Sequence, residues 1–208
     1  MDAAEIVRGS GLFDTHYYLL NGLDVLTAGV DPVGHFCKYG WRENRKPNPY
    51  FDPAWYLQQA PEAAESGPLA HYSTEGEALG LRPSLAFDPA WYRREYGLAE
   101  GCSPLRHYLE NRGLQTFSPL PLFDVHFYMQ RHGRDIPAGR DPFAHYLVRG
   151  GPRDLDPSAF FDAGAYRRRH MTRPEGTPEL RNPLLHFIAT FILRYRHAAS
   201  EAVSDRPR

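Results

Sequence analysis

At 208 residues the chain can hold one or two compact domains or a single elongated repeat array. Its formal net charge of -1 excludes a global attraction to nucleic acid or to an anionic membrane. Two cysteines, Cys37 and Cys102, fall at unrelated positions, so no disulfide framework is indicated and a reducing compartment fits.

Residues 1–11 read as a lead-in with neither a basic start nor an apolar core, so no secretory signal is expected. From Phe13 onward one module recurs five times, starting near residues 13, 51, 87, 123 and 161. Each begins with a Phe-Asp pair, whose aspartates are Asp14, Asp52, Asp88, Asp124 and Asp162. These suit helix N-caps, because a short carboxylate accepts the orphan backbone amides of a first turn, and Pro53 and Pro89 then suit the first helical position. The Phe before each Asp and the Tyr four residues after it are placed as a hydrophobic staple. A second helix follows Asp31-Pro32, Gly67-Pro68, Ser103-Pro104, Asp141-Pro142 and Asn182-Pro183. It carries an apolar residue at its second position, then His35, His71, His107, His145 or His186, then an aromatic. The spacing puts the apolar residue and the aromatic on one core-facing stripe. Gly40, Gly76, Gly113 and Gly150 are expected to stop this helix as left-handed residues.

The Asp caps lie 38, 36, 36 and 38 residues apart, which suits an all-α array of five helical-hairpin repeats over residues 12–190, solenoid-like, with neighbours burying what one hairpin cannot. The linkers between modules are short, polar and proline-rich. In the fifth module Thr190 stands where the glycine would be, so a longer capping helix is expected over roughly 183 to 200, within a 191–208 segment that ends in a flexible tail. The longest apolar run, Leu184 to Leu193, is interrupted by His186 and Thr190, so no membrane span is expected and the chain reads as soluble and cytoplasmic.

The stretch Phe13-Asp14 to Tyr17-Tyr18-Leu19, then Asn21-Gly22-Leu23-Asp24-Val25, His35-Phe36, Gly40-Trp41-Arg42-Glu43-Asn44-Arg45 and Pro47-Asn48 resembles a bacterial helical repeat met beside glycosyltransferase domains in polysaccharide-biosynthesis proteins. Gly22-Leu23 replaces a Pro of that pattern, and Asn44 replaces its second Gly. The resemblance implies a companion of glycan assembly, with a glycosyltransferase, another biosynthetic enzyme or an anionic glycan as partner; it implies no catalytic residues.

Five repeated histidines invite a metal reading, but ligands must converge within a few ångströms, whereas packed helices lie about 9 to 10 Å apart. Each His is therefore expected to bond a backbone carbonyl or the capping Asp inside its module. The five aspartates, already satisfied by amides, are poor general acids. No phosphate loop, CxxC pair, HExxH or G-x-S-x-G elbow occurs, so no cofactor or metal is expected and nothing argues for an enzyme. The alternative is a stand-alone glycan-modifying or metal-dependent enzyme that uses those histidines. Function is sought instead where modules differ. Trp41 with Arg42, Arg45 and Lys46 forms a basic aromatic linker, which either holds an acidic sugar or packs on the next module. Arg167, Arg168, Arg169, Arg173, Arg194 and Arg196 make the fifth module basic: residues 161–208 hold 9 Lys and Arg against 5 Asp and Glu, or +4, leaving -5 for the rest. This is either a docking patch for an anionic partner or a solvated face.

Overall fold

The computed structural model describes residues 2–171 and 178–191. The end of the expected capping helix, together with Arg173, Arg194 and Arg196, lies outside them. Among the described residues the protein is helical, with no strand; two isolated antiparallel bridges join Ser84 to Phe87 and Ser158 to Phe161. The chain divides into two compact units, Met1–Arg112 and Gly113–Arg208.

The first unit opens with α1 (Ala3–Ser10), where Asp2 and Glu5 form a capping box and Gly11 turns left-handed at the end. Its Ala4 and Val7 are buried, and it packs on the second helices of the first two modules. Module one then has α2 (Thr15–Leu20), α3 (Leu23–Ala28) and α4 (Pro32–His35). Module two has α5 (Pro53–Gln59), α6 (Ala63–Ser66) and α7 (Pro68–His71), and module three α8 (Pro89–Glu95) and α9 (Pro104–Asn111). The second unit carries α10 (Val125–His132), α11 (Pro142–His145), α12 (Ala163–His170) and a helix over 183–191. Two helices per module was too few for modules one and two: α3 and α6 form in the connection, α3 being stopped by left-handed Gly29.

The expected caps are present. Asp14, Asp52, Asp88, Asp124 and Asp162 each accept from backbone amides of the first turn, at 2.7 to 3.0 Å. Each Phe-Tyr staple closes with ring centroids 5.0 to 5.3 Å apart. The staple Tyr then meets the second helix's aromatic edge-on: Tyr18 on Phe36, Tyr56 on Tyr72, Tyr92 on Tyr108, Tyr128 on Tyr146 and Tyr166 on Phe187, at 5.6 to 5.9 Å. Such pairs contribute roughly 0.5–1.5 kcal/mol each beyond the area they bury.

The glycine expectation is corrected. None of Gly40, Gly76, Gly113 and Gly150 is left-handed. After His35, His71 and His145 the helix widens into a π turn, Phe36–Gly40, Tyr72–Gly76 and Tyr146–Gly150. The glycine is needed because a Cβ on Gly40, Gly76 or Gly150 would stand 2.1, 1.9 or 2.3 Å from the hydroxyl of Tyr18, Tyr56 or Tyr128. The left-handed stop comes four residues later, at Asn44, Gly80 and Asp154. The following amide, of Arg45, Leu81 or Leu155, returns to the carbonyl of Gly40, Gly76 or Gly150 at 2.8 to 3.0 Å, a Schellman closure. In module three the glycine sits six residues past His107 rather than five, and α9 runs on without a π turn into a short 3-10 turn, Arg112–Leu114.

Within each unit, lead segments are bonded to one another. The amides of Asp14, Asp52 and Asp124 donate to the carbonyls of Pro47, Pro83 and Pro157, each at 3.0 Å. The Asn48 side chain donates to the Leu12 carbonyl at 2.7 Å, and the Ser84 hydroxyl to the Tyr50 carbonyl at 2.8 Å. For the capping Asp of modules two to five, the residue six before it follows from the one after it. Pro53 and Pro89 have no N–H, and there Lys46 and Arg82 pair with the caps Asp52 and Asp88 at 3.0 and 3.4 Å. Val125 and Ala163 do have one, and there Ser118 and Asp156 accept it at 3.1 and 2.9 Å.

Gly76→Ala is expected to destabilise the first unit by about 1 to 3 kcal/mol through overpacking, and adding Tyr56→Phe should recover part of that loss. Denaturant unfolding of the single and double variants checks this; additive losses would show that the hydroxyl is not the obstacle.

Candidate functional site

The five histidines are paired with the five staple tyrosines. Tyr18 and His35, Tyr56 and His71, Tyr92 and His107, Tyr128 and His145, and Tyr166 and His186 join hydroxyl to Nδ1 at 2.7 to 2.9 Å. The partner is thus neither a backbone carbonyl nor the capping Asp, because the second helix presents its imidazole to the hydroxyl that also fills the space beside the glycine. Burial pushes the Tyr18 hydroxyl up to about 12, and those of Tyr56, Tyr92 and Tyr128 higher still, so they stay protonated as donors or acceptors to the imidazole. Among the described residues no three of His, Cys, Asp and Glu come together as a metal site. The signal that could have found these pairs was the Tyr itself. Its neighbour varies as Tyr17, Trp55, Trp91, Phe127 and Ala165, whereas a staple alone would accept Phe in its place.

The basic linker residues are engaged within the fold, Arg42 from an exposed position. The Trp41 indole is half-buried and donates to the Cys37 carbonyl at 3.1 Å, with the Arg42 guanidinium 4.1 Å above its ring. Arg42 also donates to the Lys38 carbonyl at 2.9 Å. Arg45 grips Asp24 with both Nη atoms at 2.8 and 2.6 Å and Glu43 with Nε at 2.7 Å, which draws the exposed Asp24 carboxyl down to about 2. Lys46 holds the cap Asp52 at 3.0 Å. Asp14, the first cap, is held in turn by Arg112 at 2.6 Å.

The arginine triplet divides by role. Arg167 is half-buried: its Nε bonds Asp154, its Nη2 donates to the Gly151 carbonyl at 2.9 Å, and its Nη1 to the Arg181 carbonyl at 3.2 Å. It holds the Gly151–Asp154 turn against α12. Arg168, Arg169 and His170 are exposed in the last turn of α12, where positive charge also suits the helix carbonyls. Among the described residues of this unit, the buried Tyr146 hydroxyl, Ser158 Oγ and Asn182 Nδ2 meet no acceptor. In the other unit the hydroxyl of Tyr72 donates to Glu77, which also accepts the Leu105 amide at 3.3 Å, and the residue that follows the π-turn glycine there, Glu77, is Gly151 in module four.

The chain matches no protein-family model, no curated protein and no solved structure. Among the described residues, no helix is long and apolar enough to cross a membrane.

His145 and His186 are held below the ordinary imidazole value of 6.5, by burial first and then by the nearby Arg149 and His170 respectively. A base depressed in the folded state leaves the unfolded chain binding more protons as the medium acidifies, so the stability they contribute is present above about 6.5 and lost below it. Thermal melting should therefore fall between pH 7.5 and 5, and less so for His145→Asn with His186→Asn; an equal fall in both proteins would exclude these two groups.

Proposed function

We propose that the chain is a non-catalytic helical-repeat module in which the five hairpins stack as a solenoid-like array with a terminal cap. It serves as a cytoplasmic accessory or scaffold of bacterial glycan and polysaccharide biosynthesis, presenting its surface to a protein partner, such as a glycosyltransferase, or to an anionic glycan. One observation carries this reading. In every module the repeated histidine and aspartate are engaged inside the module, the imidazole with the tyrosine hydroxyl and the carboxylate with the helix amides. The stacking is supported by the bonds between successive lead segments, from Asp14, Asp52 and Asp124 to Pro47, Pro83 and Pro157. The resemblance of the repeat to those beside glycosyltransferase domains supports the pathway.

The contact patch is Arg168 and Arg169, since Arg42, Arg45, Lys46 and Arg167 are engaged within the fold. At roughly 0.2–1 kcal/mol per exposed ion pair, reversing both charges weakens binding by about tenfold. Arg168→Glu with Arg169→Glu is therefore expected to lose that factor on a polyuronate surface while the far-ultraviolet circular dichroism stays unchanged, with neutral dextran as the blank. Undiminished binding to the polyuronate would remove the patch.

A further inference from the structure

The lead segments of modules one, two and four share a bonding pattern, and the corresponding segment of module five carries an exposed aromatic. The residue two before each capping Asp is buried in the first three modules: Leu12 at 1%, Tyr50 at 0% and Ala86 at 5% exposure. Tyr50 is covered by the next module, its ring edge-on to that of Tyr108 at 5.0 Å. The residue in this place in module five is Phe160, and it is 95% exposed. Beside it, the Asp162 amide is the counterpart of those of Asp14, Asp52 and Asp124, which donate to the carbonyl five residues before the next capping Asp. A phenylalanine 95% exposed at a position that is buried in the first three modules is a surface an apolar contact can cover.

The first module holds a complementary surface. Five residues before Asp14 stands Gly9, the counterpart of Pro47, Pro83 and Pro157. It lies in the last turn of α1, whose final carbonyls have no partner within the helix. Gly9 is exposed, and a Cβ built on it meets nothing within 4 Å. Asp2 and Glu5 are exposed at the start of α1, where Arg8 is paired with Asp31, and Arg168 and Arg169 are exposed at the end of α12.

We propose that copies of this chain associate head to tail, the Phe160–Asp162 edge of one copy seating on the Gly9–Gly11 segment of the next. Phe160 lies over Gly9, whose Cβ position is open, and the Asp162 amide donates to the Gly9 carbonyl. The contact is heterologous, so copies add in a ring or a chain rather than closing as a symmetric pair. The proposal rests on the stacking read above, but not on glycan binding, and its readout is mass.

The test is analytical ultracentrifugation of the full chain over a concentration series, with Phe160→Asp and Gly9→Arg, the latter placed where open space accepts a side chain. The wild type is expected to grow in mass with concentration, and each variant alone to remain monomeric with unchanged circular dichroism. An equal mixture of the two variants should form a dimer, because Phe160→Asp keeps the Gly9 half and Gly9→Arg keeps the Phe160 half. A monomeric wild type at about 100 μM, a concentration that detects Kd values near that level, would overturn the proposal. So would association that survives Phe160→Asp, or a Gly9→Arg variant that still pairs with itself, which would mean that two Phe160 edges meet. Loss of polyuronate binding on charge reversal with mass growth retained would leave this inference standing, and the converse would leave the binding patch standing.

Discussion

A single hydrogen bond between two helices, joining a tyrosine hydroxyl and an imidazole Nδ1, organises each module. The tyrosine reaches it from the fourth position of the first helix, where the capping aspartate and the phenylalanine staple set the angle of approach. The histidine reaches it from the fourth position of the second helix, where a cap and a proline set the start. Both side chains must leave water to meet, and buried polar groups of this kind stabilise a structure only when paired, so the bond selects one relative placement of the two helices among those that the aromatic contacts alone would accept.

The rest of the hairpin accommodates that hydroxyl. It stands where the side chain of the residue five past the histidine would begin, so that residue is glycine in three modules, and the helix passes it as a π turn. The same glycine carbonyl then closes the helix by accepting the amide of Arg45, Leu81 or Leu155, one residue beyond the left-handed Asn44, Gly80 or Asp154. Module three shows the constraint from the other side. With one more residue between His107 and Gly113 the hydroxyl no longer opposes a glycine Cβ position, a Cβ on Gly113 would instead stand 2.8 Å from the Gly139 carbonyl, and the π turn is absent.

Charge obeys the same economy of local need. Positions that looked like a ligand surface, Arg42, Arg45, Lys46 and Arg167, each have an acceptor left by the fold within reach: a helix carbonyl, the Asp24 carboxylate, the cap Asp52, and Asp154 with the Gly151 carbonyl. A guanidinium offers five donors in a plane, and a helix end offers unpaired carbonyls, so an arginine just past a helix closes it well. Arg168 and Arg169 point elsewhere only because successive residues of a helix face different directions.

What the sequence by itself determined was local: the Asp and Pro helix starts, the Phe-Tyr staples, the period of 36 to 38 residues and the all-α class. These follow from interactions within about six residues, where spacing alone decides which groups meet. The tertiary structure decided which histidine partner is used, why each glycine is small, where the true helix stop lies and which basic residues are engaged. Tyr56 and His71 are fifteen residues apart and Arg112 and Asp14 ninety-eight, and no periodicity reports a contact across that distance. The extra helices α3 and α6 were missed for a related reason: each is six residues or fewer, too short to stand on propensity, and depends on packing against its own module.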